Sequence, residues 1–105
     1  MIINTTDVDF MSDISQGLVL VDFWATSCKP CANLSITLEK LDVEQPSLRI
    51  VKLNVEEHSD RASELGLMSV PCLIIYKDGV EVARKVGALN LDNLKAWLID
   101  TEKLK

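Results

Sequence analysis

A chain of 105 residues, 48% of them apolar, buries about two thirds of its unfolded surface on folding, enough for a core without a disulfide framework. The formal charge of -5, with acids and bases interspersed, disfavours a nucleic-acid partner, because phosphate binding needs a basic patch. No apolar run approaches the roughly 20 residues of a membrane span, and "MIINTTDVDF" lacks the basic start and small-residue cleavage site of a signal peptide, so a cytoplasmic location is the default expectation.

In chain order, "MIIN" reads as a short edge strand. "DVDFMSDISQG" carries Val8, Met11 and Ile14 at helical spacing and ends at Gly17. "LVLVDFW" is a continuous apolar run, the pattern of a strand covered on both faces. A helix is expected from Pro30, with Leu34, Leu38 and Leu41 on one face and Pro46 ending it. "LRIVKLNV" is β-branched and alternating, a second core strand. "SDRASELG" reads as a short helix with Ser59 as N-cap and Gly66 closing it. "CLIIYKDGVEVARKV" is a hairpin around Asp78–Gly79, a pair that supplies the positive φ of a tight turn. Asn90 then caps "LDNLKAWLID", whose Leu91, Leu94, Trp97 and Leu98 share a face. Strands and helices alternate first, and a hairpin with a covering helix finishes the chain. One domain over residues 1–105 is expected, of class α/β, with a mixed central sheet and helices on both faces.

The chemistry concentrates in "VDFWATSCKPCANL". Two thiols two residues apart are compatible with a disulfide clip, half of a metal site, or a redox couple. Three cysteines cannot all pair within one chain, and in a reducing compartment a structural clip is the weakest of the three. Cys28 falls in the turn after a buried strand, at or near a helix N-cap. Pro30 suits the first turn, where its missing N–H has no partner in any case. Cys31 then lies inside that turn, facing the protein. The positive end of the helix favours a thiolate over a thiol, and Lys29 adds a cation next door. An isolated carboxylate at Asp22, in so apolar a strand, is costly to ionise and should titrate high.

These pieces resemble the thioredoxin family: "LVDFWA" before the cysteines, Cys28-x-Pro30-Cys31, "KLNV", Val70–Pro71, "YKDGVEVARKVGAL" and the terminal helix, in order and without a gap. The resemblance implies a three-layer thioredoxin-like fold, its central mixed sheet of about five strands flanked by helices, with a cis proline at Pro71 beside the dithiol. It also implies protein disulfide reduction through a redox-active disulfide, Cys28–Cys31, with no bound cofactor. Cys28 would be the nucleophile and Cys31 the resolving thiol, with Asp22 accepting the Cys31 proton. Asp22 could instead be a buried polar group paired with Lys52, which the family places nearby, and the two roles can coexist. Val70 and Pro71 would present backbone to an extended substrate, and Gly87 and Ala88 would leave room for it. Trp24 would pack beside the active-site loop, and Trp97 would be helix-to-sheet core. The expected partners are disulfide-containing client proteins and an upstream flavoprotein of the thioredoxin-reductase type, with the chain itself a monomer.

Four positions depart from the family pattern. Ser27 stands where tryptophan is usual, which removes part of an apolar docking surface. Lys29 replaces glycine and should make the couple more oxidising. Ile36 replaces a helix-kinking proline, so the long helix should be straighter. Ser69 replaces a common glycine in the substrate loop. Cys72, directly after Pro71, opens a rival reading as a metal- or cluster-binding module, since Cys28, Cys31, Cys72 and His58 count up to a Cys₃His set. His58 should sit away from the dithiol, and Cys72 reads more simply as a small buried hydrophobe. A dithiol oxidase or isomerase is a second rival, disfavoured because such relatives typically carry histidine at the position of Pro30. A redox-dead binding scaffold is disfavoured by the presence of both cysteines and Asp22.

Overall fold

The computed structural model describes residues 1–103, so the last two positions of the expected 1–105 span lie outside the described residues. Along them run β1 (Ile2–Asn4), α1 (Phe10–Asp13), β2 (Leu18–Trp24), α2 (Lys29–Glu44), β3 (Arg49–Asn54), α3 (Asp60–Glu64), β4 (Cys72–Lys77), β5 (Val80–Val86) and α4 (Leu91–Lys103). The strands form one mixed sheet in the order β1-β3-β2-β4-β5. β3 pairs in parallel with both β1 and β2, β4 runs antiparallel to β2, and β5 antiparallel to β4. This is the α/β thioredoxin-like architecture the sequence implies.

The apolar run of β2 becomes a strand because it has cover on both faces. Val19, Val21 and Phe23 enter one core with Phe10 and Ile14, while Leu20 enters the other with Leu34, Leu38 and Leu41 of α2 and Leu94 and Leu98 of α4. Side chains alternate along a strand, so Asp22 shares the α2 side with Leu20. Each fully buried Leu, Val or Phe contributes roughly 1.5–3 kcal/mol.

The hairpin turns at Asp78 and Gly79, both at positive φ (50° and 84°), as a two-residue turn between right-twisted strands requires. Asp78 also ties this turn to the start of β2, its carboxylate accepting from the Gly17 N–H at 2.7 Å. Asn90 caps α4 through the Asn93 N–H, at 2.8 Å.

Three local expectations change. Val8 and Met11 are exposed, and Phe10 with Ile14 makes the inward face of the first helix; α1 is a single turn, so an i,i+4 pair is all it can bury. Trp97 is half-buried at the margin of the core rather than inside it, with the Lys85 ammonium 5.9 Å from its ring centroid. Ser59 occupies the N-cap of α3 but makes no side-chain cap. That work falls to Asp7, whose carboxylate accepts from the N–H groups of Asp60 (3.2 Å) and Arg61 (3.0 Å).

Asp7→Ala should therefore lower stability by about 0.5–2 kcal/mol, the usual range for a lost cap. Ser59→Ala should stay within about 0.5 kcal/mol of the parent. Urea unfolding of the two variants, side by side, checks the contrast.

Candidate active site

The polypeptide leaves β2 at Trp24, turns through Ala25–Ser27 and enters α2. Cys28 is the N-cap residue, in extended conformation (φ -97°, ψ 109°), and its Sγ accepts from the Cys31 N–H at 3.2 Å. Cys28 is half-buried, whereas Cys31 is only 2% exposed. The two are joined as a disulfide with Cα atoms 5.2 Å apart. Lys29 and Pro30 are exposed on the first turn, and α2 runs uninterrupted past Ile36 to Glu44.

The turn before Cys28 is held from the end of β3. Glu56 accepts from the Thr26 N–H at 2.8 Å and from the Ser27 hydroxyl at 3.0 Å. The Asn54 side-chain amide donates through Nδ2 to the Thr26 hydroxyl at 3.1 Å and accepts at Oδ1 from the Glu56 N–H at 3.0 Å. The bonds from Ser27 and Thr26, the Ser27 hydroxyl first, hold the Glu56 carboxyl below its ordinary range. Neither Glu56 nor Asn54 was singled out from the sequence. The only available signal was their place just after "KL" in a core strand, which does not reveal that their side chains reach across to the next loop.

The Val70–Pro71 peptide is cis, and Cys28 Sγ lies 3.8 Å from the Val70 carbonyl oxygen. Gly87, at φ +99°, donates its N–H to the Pro71 carbonyl at 2.8 Å, which brings the end of β5 and the exposed Ala88 to the same side. Ser69 is exposed next to Val70.

Asp22 lies beneath α2, fully buried, and both carboxylate oxygens are without a hydrogen-bond partner. Burial pushes its pKa up to about 7, with Lys52 pulling the other way. The direct pairing with Lys52 does not form. Lys52 Nζ donates instead to Ser35 Oγ at 2.6 Å and lies 5.3 Å from the centroid of the Trp24 ring. Trp24, Cys28, Cys31, Ser35 and Lys52 line one cleft of about 280 Å³. Trp24 thus flanks the dithiol, and Ser35, after Glu56 and Asn54, is a third residue that the sequence did not single out.

The Cys₃His set is not assembled. Cys28 and Cys31 are bonded to each other. Cys72 is 1% exposed in the core with Phe10 and Phe23, on the sheet face away from α2, and burial raises its thiol pKa. His58 lines a neighbouring cleft with Asn4 and Thr5, which shares Trp24 and Lys52 with the dithiol cleft but holds none of the three cysteines. Among the described residues, no group of three or more His, Cys, Asp or Glu side chains is placed to hold a metal ion, and no helix is long and apolar enough to cross a membrane.

Comparison with known proteins agrees with this geometry. The family model described as Thioredoxin matches residues 1–100. Thioredoxin of Bacillus subtilis (strain 168) is 44% identical over 87 residues, covering 82% of this chain and 84% of the relative. Thioredoxin of Chlamydia caviae is 45% identical over 86 residues, with 82% and 84% covered. Thioredoxin of Pseudomonas aeruginosa is 39% identical over 100 residues, with 92% and 93% covered.

The buried carboxyl makes stability fall as pH rises. An unfolded Asp ionises near 3.8 and the folded one near 7, so between those values the unfolded state binds fewer protons and is favoured. The destabilisation is complete above pH 7 and absent below pH 4. Asp22→Asn should remove it, stabilising the oxidised protein at pH 8 by up to about 4 kcal/mol, at 1.36 kcal/mol per pKa unit. The gain should shrink toward zero near pH 4, as measured by urea unfolding.

Proposed function

The chain belongs to the thioredoxin family and is a thiol–disulfide oxidoreductase, and from that premise we propose that it acts as a reductase of protein disulfides. The observation that carries this reading is the asymmetry of the two sulfurs. Cys28 is accessible at a helix N-cap, and Cys31 is covered behind it. The helix N-terminus stabilises negative charge where Cys28 sits, which favours Cys28 as the attacking thiolate.

In the reduced protein, the Cys28 thiolate attacks one sulfur of a client disulfide. The other client sulfur leaves as a thiolate and takes a proton from water. Cys31 then gives its proton to the Asp22 carboxylate and attacks Cys28 Sγ, releasing the second client sulfur. Two electrons pass to the client, and the chain is left with the Cys28–Cys31 disulfide. The unpartnered Asp22 oxygens and the raised pKa support a carboxyl that takes up a proton near neutral pH.

Val70, against Cys28, offers its backbone to an extended client segment, with Pro71, Gly87 and Ala88 forming the floor beside it. Ser27 and Lys29 would set the polar character of the rim. A flavoprotein of the thioredoxin-reductase type would return the electrons, and the chain would act as a cytoplasmic monomer.

Cys28→Ser should abolish reduction of a model protein disulfide. Cys31→Ser should attack but not release, accumulating mixed disulfides that non-reducing electrophoresis reveals. A Cys31→Ser protein turning over at the wild-type rate would sink the two-thiol mechanism. Asp22→Asn should slow client release most near pH 7, and less at pH 9, where the higher hydroxide concentration makes up for the missing base.

A further inference from the structure

Asp22 and Lys52 hold matching positions on the adjacent parallel strands β2 and β3, and both side chains lie on the α2 side of the sheet. A buried carboxylate beside an ammonium would ordinarily close into an ion pair. Here Lys52 Nζ is taken up by Ser35 Oγ, at 2.6 Å, and by the face of Trp24, while both Asp22 oxygens stay unpartnered. Ser35 lies one helical turn beyond Cys31, so the two share a face of α2. With Lys52 and Trp24 they line the same cleft.

We propose that Ser35 is a positioning residue of the dithiol site, its hydroxyl holding the Lys52 ammonium at the cleft and off the Asp22 carboxylate. In its catalytic consequence, this rests on Asp22 being the proton acceptor. Lys52 carries its charge on a flexible four-carbon stem. Without the hydroxyl, the strongest unpaired acceptor on that side of the sheet is the carboxylate itself. An ammonium in contact with it lowers a carboxyl pKa by about 1–3 units, and a carboxylate so paired is a weaker base for the Cys31 proton. The latch therefore keeps Asp22 basic.

The surroundings leave few other groups to blame for a shift. β3 contributes Lys52, and α2 carries Cys31, which does not titrate in the oxidised protein because it is bonded to Cys28. β4 presents Leu73 opposite Asp22, and α4 packs Leu94 and Leu98 into this layer, all apolar. Cys72 faces the other side of the sheet, although its thiol senses the Asp22 charge.

The test is a carboxyl-carbon NMR titration of Asp22 in the oxidised protein, which needs no turnover. Ser35→Ala should lower the Asp22 pKa by about one unit, and Ser35→Thr, which keeps a hydroxyl, should restore it. Alanine is the better helix former, so loss of fold is not expected. In a Lys52→Met background, Ser35→Ala should have no effect. The pH profile of client release should move to lower pH with the titration. An Asp22 titration in Ser35→Ala that matches wild type or moves upward overturns the latch, as does a downward shift that persists without Lys52. The two readings also separate. If Asp22→Asn releases clients at the wild-type rate while Ser35→Ala still lowers the titration, the base role falls and the latch holds. If Asp22→Asn slows release while Ser35→Ala leaves the titration unmoved, the base role holds and the latch falls.

Discussion

Everything at this site hangs from the far end of β2. That strand is hydrogen-bonded on both edges, to β3 and β4, and packed on both faces. It has no freedom to slip, because a shift of one residue would send Val19, Val21 and Phe23 into the α2 layer and Asp22 into the opposite core. With β2 held, the point where the chain turns into α2 is held as well. Glu56 and Asn54 then grip the turn from β3, so Cys28 reaches the helix N-cap already oriented.

Position alone sets two groups of the site in opposite electrostatic surroundings. At Cys28, the unpaired N–H groups of the first helical turn favour an anion, and the Cys31 N–H points at the sulfur. A layer below, Asp22 is fully buried with no donor to either oxygen, and its anion is disfavoured. Cys31, 2% exposed, is the thiol whose proton this carboxyl is proposed to accept. The arrangement lowers stability at neutral pH, since an apolar residue at position 22 would ionise nothing. A locally unfavourable buried carboxyl is the kind of residue that clusters at functional sites.

The polar substitution at Ser27 acts through the same geometry. Its hydroxyl is engaged by Glu56, which makes it part of the loop's anchorage and leaves that rim of the dithiol without a large apolar side chain. Apolar surface is found on the other rim, where Val55, Leu67, Met68 and Val70 line a cleft and Met68 is 96% exposed.

Much of this was readable in the order of residues. The continuous apolar run of β2, the Asp-Gly hairpin, the Asn90 cap and the Cys-x-Pro-Cys spacing are local patterns, and local patterns follow from period, turn chemistry and capping within a few residues. The same locality explains what could not be read. Nothing near Ser59 says that Asp7, far away in sequence, will cap its helix. Nothing near Val8 says that the first helix will be too short to bury it. Glu56 reaching Thr26 and Ser27, and Lys52 choosing Ser35 over Asp22, are contacts between elements whose approach is set by sheet order and helix packing. The residues named the chemistry, two thiols and a carboxylate in an apolar strand. Only the tertiary structure decided which charge meets which partner, because a side chain's partner depends on distances that the chain acquires only when its layers close.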